Sequence, residues 1–186
     1  MQPWEIVVLA VVVVIVLAAA IGWTLYSRRR SDHLRSRFGS EYDRTVVEFG
    51  DQRRAESELS RREERVRHMK IRPLTVVERQ KFLDQWVTCQ SLFVDDPARA
   101  VEDADRLLTD VMRVRGYSTD NPHDRVADIS AAYPRHAENY RRADEITIRH
   151  HHGQATTEEL RSAFIHYRSL FDEILGGQDE ELKRAS

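Results

Sequence analysis

Hydrophobic positions fall into two regimes along this chain. From Trp4 to Tyr26 they are nearly uninterrupted, with Glu5 at the outer edge, and Arg28-Arg29-Arg30 follows at once. Beyond that triplet apolar residues recur every three or four positions, the spacing of an amphipathic helix. No stretch alternates convincingly with period two, and glycine (7) and proline (5) are scarce. The chain is therefore expected to be all-α, with one N-terminal transmembrane helix, a long charged helix and a small helical bundle.

The first regime reads as a membrane anchor within residues 1–27. Its 23 residues, 4–26, reach roughly 34 Å at about 1.5 Å per residue, against a hydrocarbon core of about 30 Å. Valine is a modest helix former in water, but lipid leaves the backbone no partner except itself, so a helix is expected regardless. Trp4 at one end, and Trp23 and Tyr26 at the other, are expected at the membrane interfaces, with Arg28, Arg29 and Arg30 beyond them. A cleaved signal peptide is the rival. Ala18-Ala19-Ala20 has the small residues of a cleavage site, but Met1 to Glu5 carries no Lys or Arg, so the positive leading flank is missing. Positive charge behind the run is expected to keep residues 28 onward on the cytoplasmic side, with the N-terminus outside. Ala18 and Gly22 form a small-xxx-small pair through which two anchors would approach closely.

Residues 28–72 are expected to form a basic juxtamembrane segment. Leu34, Phe38 and Tyr42 step by four, Val46 and Phe49 continue the face, and after Gly50 the stripe shifts to Ala55, Leu59, Val66 and Met69. Glu58–Arg62 and Glu63–Arg67 are i,i+4 pairs, each worth about 0.3 kcal/mol. The apolar seam is thin. Two readings therefore stand side by side: a stalk or coiled-coil half that pairs with another chain, as a weak homo-oligomer, or a helix packed on its own bundle.

Residues 73–176 are expected to be that bundle. Thr75-x-x-Glu78 is a capping box that opens a helix carrying Phe82, Trp86, Cys89 and Phe93 on one face, a core stripe. Asp96-Pro97 starts the next helix, with Val101, Ala104, Leu108 and Val111 inward and Gly116 at its end. Asn121-Pro122 and Pro134 open two more, to about Ser130 and His151. A second capping box, Thr156-x-x-Glu159, opens the last, whose inner side runs from Leu160 through Phe164, Tyr167 and Phe171 to Leu175. Gly176-Gly177 is expected to stop it, leaving 177–186 as a flexible tail.

Composition adds a charge gradient. The net charge is −2, but residues 28–72 hold 14 basic and 9 acidic side chains, whereas 73–186 hold 15 and 21. The basic half lies beside the expected membrane, where anionic headgroups attract each well-placed Arg by up to about 1 kcal/mol. Cys89 is the only cysteine, so no internal disulfide forms.

Four strings carry a resemblance: Arg37-Phe38-Gly39-Ser40-Glu41-Tyr42-Asp43-Arg44, Phe93-Val94-Asp95-Asp96-Pro97, Met112-Arg113-Val114-Arg115-Gly116-Tyr117, and Leu160-Arg161 through Tyr167-Arg168-Ser169-Leu170-Phe171-Asp172. Together they resemble a group of uncharacterised, N-terminally anchored, single-pass bacterial membrane proteins from high-GC genomes. The resemblance covers about residues 34–175. It implies a bacterial plasma (inner) membrane protein, which with the charge asymmetry gives an expected N-terminus outside and a cytoplasmic C-terminal domain, and it supplies no activity or functional residue.

Candidate chemistry is sparse. His150-His151-His152 point about 100° apart on a helix and so cannot converge on one ion there. Gly176-Gly177-Gln178 matches a tripeptide of peptide-release factors, but a double glycine after a helix is also an ordinary stop. Asp95, Asp96, Glu102, Asp103 and Asp105 form an acidic patch explained by a helix start, without the alternating ligands and glycine turn of a calcium loop. No phosphate-binding glycine loop or nucleophile elbow occurs, and acids interleave the arginines of 28–72, against a nucleic-acid site. No catalytic residue, metal ligand or cofactor is expected. The expected function is a membrane-anchored helical interaction or scaffolding protein, contacting lipid through residues 4–26 and an unidentified protein partner through its bundle. The alternatives are a tethered enzyme or ligand-binding module without a recognisable motif, and the same domain displayed outside the membrane.

Overall fold

Two glycines decide how the basic segment folds. Gly39 and Gly50 adopt φ values of 54° and 64°, in the left-handed region where a side chain is disfavoured. They cut what the spacing predicts as one long helix into the end of α1 (Pro3–Phe38), α2 (Ser40–Phe49) and α3 (Gln52–His68). The computed structural model describes the backbone of residues 3–118 and 121–185. Within it, the side chains of residues 3–11, 13, 14, 19, 20, 23, 26, 122, 123 and 177–185 lie outside the description. Five further helices follow: α4 (Val76–Asp95), α5 (Pro97–Arg115), α6 (Pro122–Ala132), α7 (Pro134–His151) and α8 (Thr157–Ala185). The described residues are all helical or connecting, as the all-α reading requires.

Local signals place the helix starts. Thr75 and Glu78 form the reciprocal capping box, Asp96 caps α5 by accepting from the Arg99 N–H, and Thr156 and Glu159 repeat the box before α8. The helix end expected at Gly176-Gly177 does not occur there, because α8 runs on to Ala185. Glycine costs about 1 kcal/mol inside a helix but does not forbid one, and Glu, Leu, Lys and Arg after it are good helix formers.

Packing then orders the helices. α4 lies on α5, α5 on α8, α8 on α7, α7 on α6 and α6 on α3, while α2 and α3 form a hairpin against the end of α1. The main core contains Phe82, Trp86, Val101, Leu108, Met112, Tyr140, Tyr167 and Phe171, with Cys89 as a small buried hydrophobe. A second cluster joins Leu34, Phe38, Tyr42 and Leu59 to Ala131 of α6, and Val66 packs against both clusters. Of the two readings of 28–72, the structure adopts the inward one. Leu59, a position on the seam that would have faced a partner, is fully buried within the chain. Its charges follow suit: Glu58 pairs with Arg62 as spaced, but Glu63 reaches back to Arg37 of α1, at 3.5 Å, instead of meeting Arg67, which pairs with Glu64.

Candidate functional site

The hairpin end of the molecule gathers a dense set of long-range polar contacts. Glu41, on the first turn of α2, is buried and takes both Arg62 of α3 (3.2 Å) and Arg141 of α7. Arg62 is itself buried between Glu41, Glu58 (2.9 Å) and the Ser130 hydroxyl (3.4 Å). This knot clamps the hairpin to α6 and α7. It satisfies buried charges with charges, the condition under which burial is tolerated.

A neighbouring group holds the hairpin to α1. Glu56 of α3 accepts from Ser31 (2.6 Å), the Tyr42 hydroxyl (2.8 Å) and Gln52 (2.9 Å) through one oxygen. Burial pushes its carboxyl up, but the Ser31, Gln52 and Tyr42 hydrogen bonds and the Arg30 charge outweigh that and hold it below its ordinary value. Beside this group lies a cleft of about 400 Å³, lined by Thr24, Ser27, Arg28, Ser31, Asp32 and Arg35 of α1, Tyr42 of α2, and Gln52 and Arg53 of α3. Thr24, Ser27, Ser31 and Arg35 fall at i, i+3, i+7 and i+11, one face of α1. Arg35 also pairs with Asp43 at 3.2 Å, both side chains well exposed.

Asp128 of α6 stands apart. It is fully buried, and neither carboxyl oxygen has a hydrogen-bond donor among the described residues, although Arg65 Nε lies 3.3 Å away. Arg65 spends its best contact on Asp124, at 2.6 Å. Burial pushes the Asp128 carboxyl up to about 6, with Arg65 opposing and Asp124 adding to the rise. A raised carboxylate is favoured protonated in the folded state, so its cost is absent below its unfolded value near 4 and grows as pH climbs through 6. The stability lost over that window is of the order of 2–3 kcal/mol. Asp128→Asn is expected to remove this slope: unfolding midpoints of variant and parent should converge as pH falls below about 4, and the variant should melt higher at pH 8. Parallel pH profiles would show that Asp128 is not the titrating group.

A further polar set, partly buried, is anchored on Tyr140 and Tyr167 of the main core. Asp105 accepts from Tyr140 (3.3 Å) and pairs with Arg125 (3.3 Å), which also donates to Thr109, and the Tyr167 hydroxyl meets Thr147 at 3.2 Å. Burial holds Asp105 above its usual value against the pull of Arg125 and Tyr140. The acidic-patch reading of Asp105 needs correction. It sits four residues after Val101 and three before Leu108, on the inner stripe of α5, and that spacing was a visible sign of burial. Tyr140 was missed as a core residue, although Ala137, Tyr140, Ala143 and Ile146 recur every three positions. The rest of the patch behaves as a helix start: Asp96 caps, and Glu102 and Asp103 pair with Arg106.

The other candidate residues do not converge. Arg28, Arg29 and Arg30 are exposed along α1, with Arg30 donating to Ser60 at 2.8 Å. Ala18 and Gly22 are exposed, and nothing lies within 4 Å of where a Gly22 side chain would begin. The side chains of Trp4, Trp23 and Tyr26 lie outside the described residues. His150 and His151 close α7, and among the described residues no group of three His, Cys, Asp or Glu is placed to hold a metal ion. Among those residues, too, no helix is long and apolar enough to cross a membrane, and most side chains of the run 4–26 fall outside them. Comparison of the whole chain with protein-family models, curated proteins and solved structures gives no match.

Proposed function

We propose that the protein is a single-pass, membrane-anchored helical scaffold that presents its bundle to a protein partner on the cytoplasmic face of a bacterial plasma membrane. One observation carries this reading. On α1, Val12, Ile15, Val16, Leu17, Ile21 and Leu25 are 50–61% exposed, and at 100° per residue they point to all sides of the helix. A helix that is apolar all round and uncovered by its own chain needs an apolar surrounding. Arg28-Arg29-Arg30 behind it supports the cytoplasmic orientation. The scaffolding half rests on continuity. α1 runs unbroken from Pro3 to Phe38, and Leu34 and Phe38 are sealed against Tyr42 and Leu59, so the bundle is held rigidly to the apolar stretch.

Topology is the direct test. In spheroplasts of a bacterium expressing the full chain, external protease should leave residues 31–186 intact until lysis, and carbonate washing should leave the chain in the membrane pellet. Digestion before lysis would overturn the orientation, and release by carbonate would overturn the anchor. Crosslinking in those membranes should yield one reproducible protein adduct, lost when residues 1–30 are removed. Recovery of uncrosslinked chain alone would overturn the scaffold reading.

A further inference from the structure

We infer that the cleft between α1, α2 and the start of α3 binds the phosphate of an anionic phospholipid headgroup. The inference rests on the anchored reading and deepens it by naming a ligand. Three arginines, Arg28, Arg35 and Arg53, line the cleft against one acid, Asp32. Among the described residues Arg28 and Arg53 make no ion pair, whereas Arg30, Arg37, Arg61 and Arg62 nearby are all engaged. Two basic groups thus face a cleft with their charge uncommitted. The remaining lining includes groups that can donate to phosphate oxygens: the hydroxyl of Ser27, and the amide of Gln52, which keeps one N–H beyond its bond to Glu56. Glu56 is not part of the lining; it accepts from three residues that are, Ser31, Tyr42 and Gln52, and so stands partly screened from an incoming anion.

Depth agrees with this chemistry. The headgroup layer on each side of a bilayer is about 5–8 Å thick. Arg28 lies two residues past Tyr26, and Thr24 to Ser31 covers about 10 Å along α1, so the cleft mouth falls at the level of lipid phosphates. A site built this way differs from diffuse attraction by a basic surface, because α3 brings Gln52 and Arg53 across from the anchor helix to close the other wall. Phosphate recognition by paired guanidinium groups favours a fixed, bidentate geometry over a point charge.

The test uses the full chain in neutral detergent micelles, titrated in turn with phosphatidylglycerol, phosphatidylcholine and inorganic phosphate and read by native mass spectrometry. Phosphatidylglycerol should be retained about tenfold more strongly than phosphatidylcholine, and the double variant Arg28→Gln/Arg53→Gln should lose that preference. Arg99→Gln/Arg161→Gln, with the same charge change on the far helices, should keep it. Equal retention of the two lipids, or full retention by the Arg28/Arg53 variant, would overturn the site. Displacement of the lipid by an equal concentration of inorganic phosphate would overturn the lipid as its ligand. Flotation separates this from the anchor: parent and variant should both float with neutral phosphatidylcholine vesicles. A chain that floats without lipid preference sinks the cleft alone, and a chain that does not float sinks the anchored reading and the cleft with it.

Discussion

Trp86→Ala is expected to cost about 3–5 kcal/mol of folding stability, enough to unfold most of a marginal domain. The indole is 4% exposed. It stacks on Phe171 with ring centroids 4.7 Å apart and meets Phe164 at 5.0 Å, so it joins α4 to α8. Removing it takes away transfer energy and leaves a void that two aromatic rings cannot fill. Its Nε1–H has no hydrogen-bond partner among the described residues. Trp86→Phe therefore discards an unpaired donor while keeping most of the ring, and should cost less than about 1.5 kcal/mol. Urea unfolding of the full chain in mild detergent, followed by circular dichroism, measures both. A loss below about 1 kcal/mol for the alanine variant would show that the aromatic stripe is not core.

Arg62→Met should cost a similar amount, about 3–5 kcal/mol, by a different route. It leaves Glu58 without its inner partner and Glu41 dependent on Arg141 alone. The damage should be local, because the polar partners of Arg62 are Glu41 of α2, Glu58 of α3 and Ser130 of α6, with α7 reached through Glu41 and Arg141. Hydrogen exchange should show α2 and α3 losing protection while α5 and α8 retain theirs. Adding Glu41→Gln should deepen the loss rather than rescue it, since Arg141 is then left without its carboxylate. Uniform loss of protection would mean that the hairpin and the bundle unfold as one unit, against a separable clamp.

How much of this was legible beforehand differs by element. The three capped starts, at Thr75, Asp96 and Thr156, were readable because a cap involves groups no more than three residues apart. The aromatic stripe of α4 and the inner face of α8 were readable because burial writes itself as a period of 3.6. Asp105 and Tyr140 were legible in principle by the same rule, but a carboxyl and a phenol on the inner face look like surface residues until Arg125 is brought to meet them. The cleft was legible only as a polar face on α1. Its other wall comes from Arg53, which sequence spacing does not relate to Arg28.

By itself the sequence determined the all-α class, the starts of the capped helices, the apolar run of residues 4–26 and the charge gradient behind it. Each of these depends on neighbours within a turn or on composition. Only the tertiary structure decided where the 28–72 seam goes, and which of 26 arginines meets which acid. Glu41 and Arg141 are 100 residues apart, and Glu63 chooses Arg37 over Arg67 although the nearer partner has the favoured i,i+4 spacing. A helical ion pair is worth only a few tenths of a kcal/mol, about 0.3, so it yields wherever packing offers burial of Leu34, Phe38 and Leu59 instead. Turns at Gly39 and Gly50 make that packing reachable, and the charges take the partners it leaves beside them.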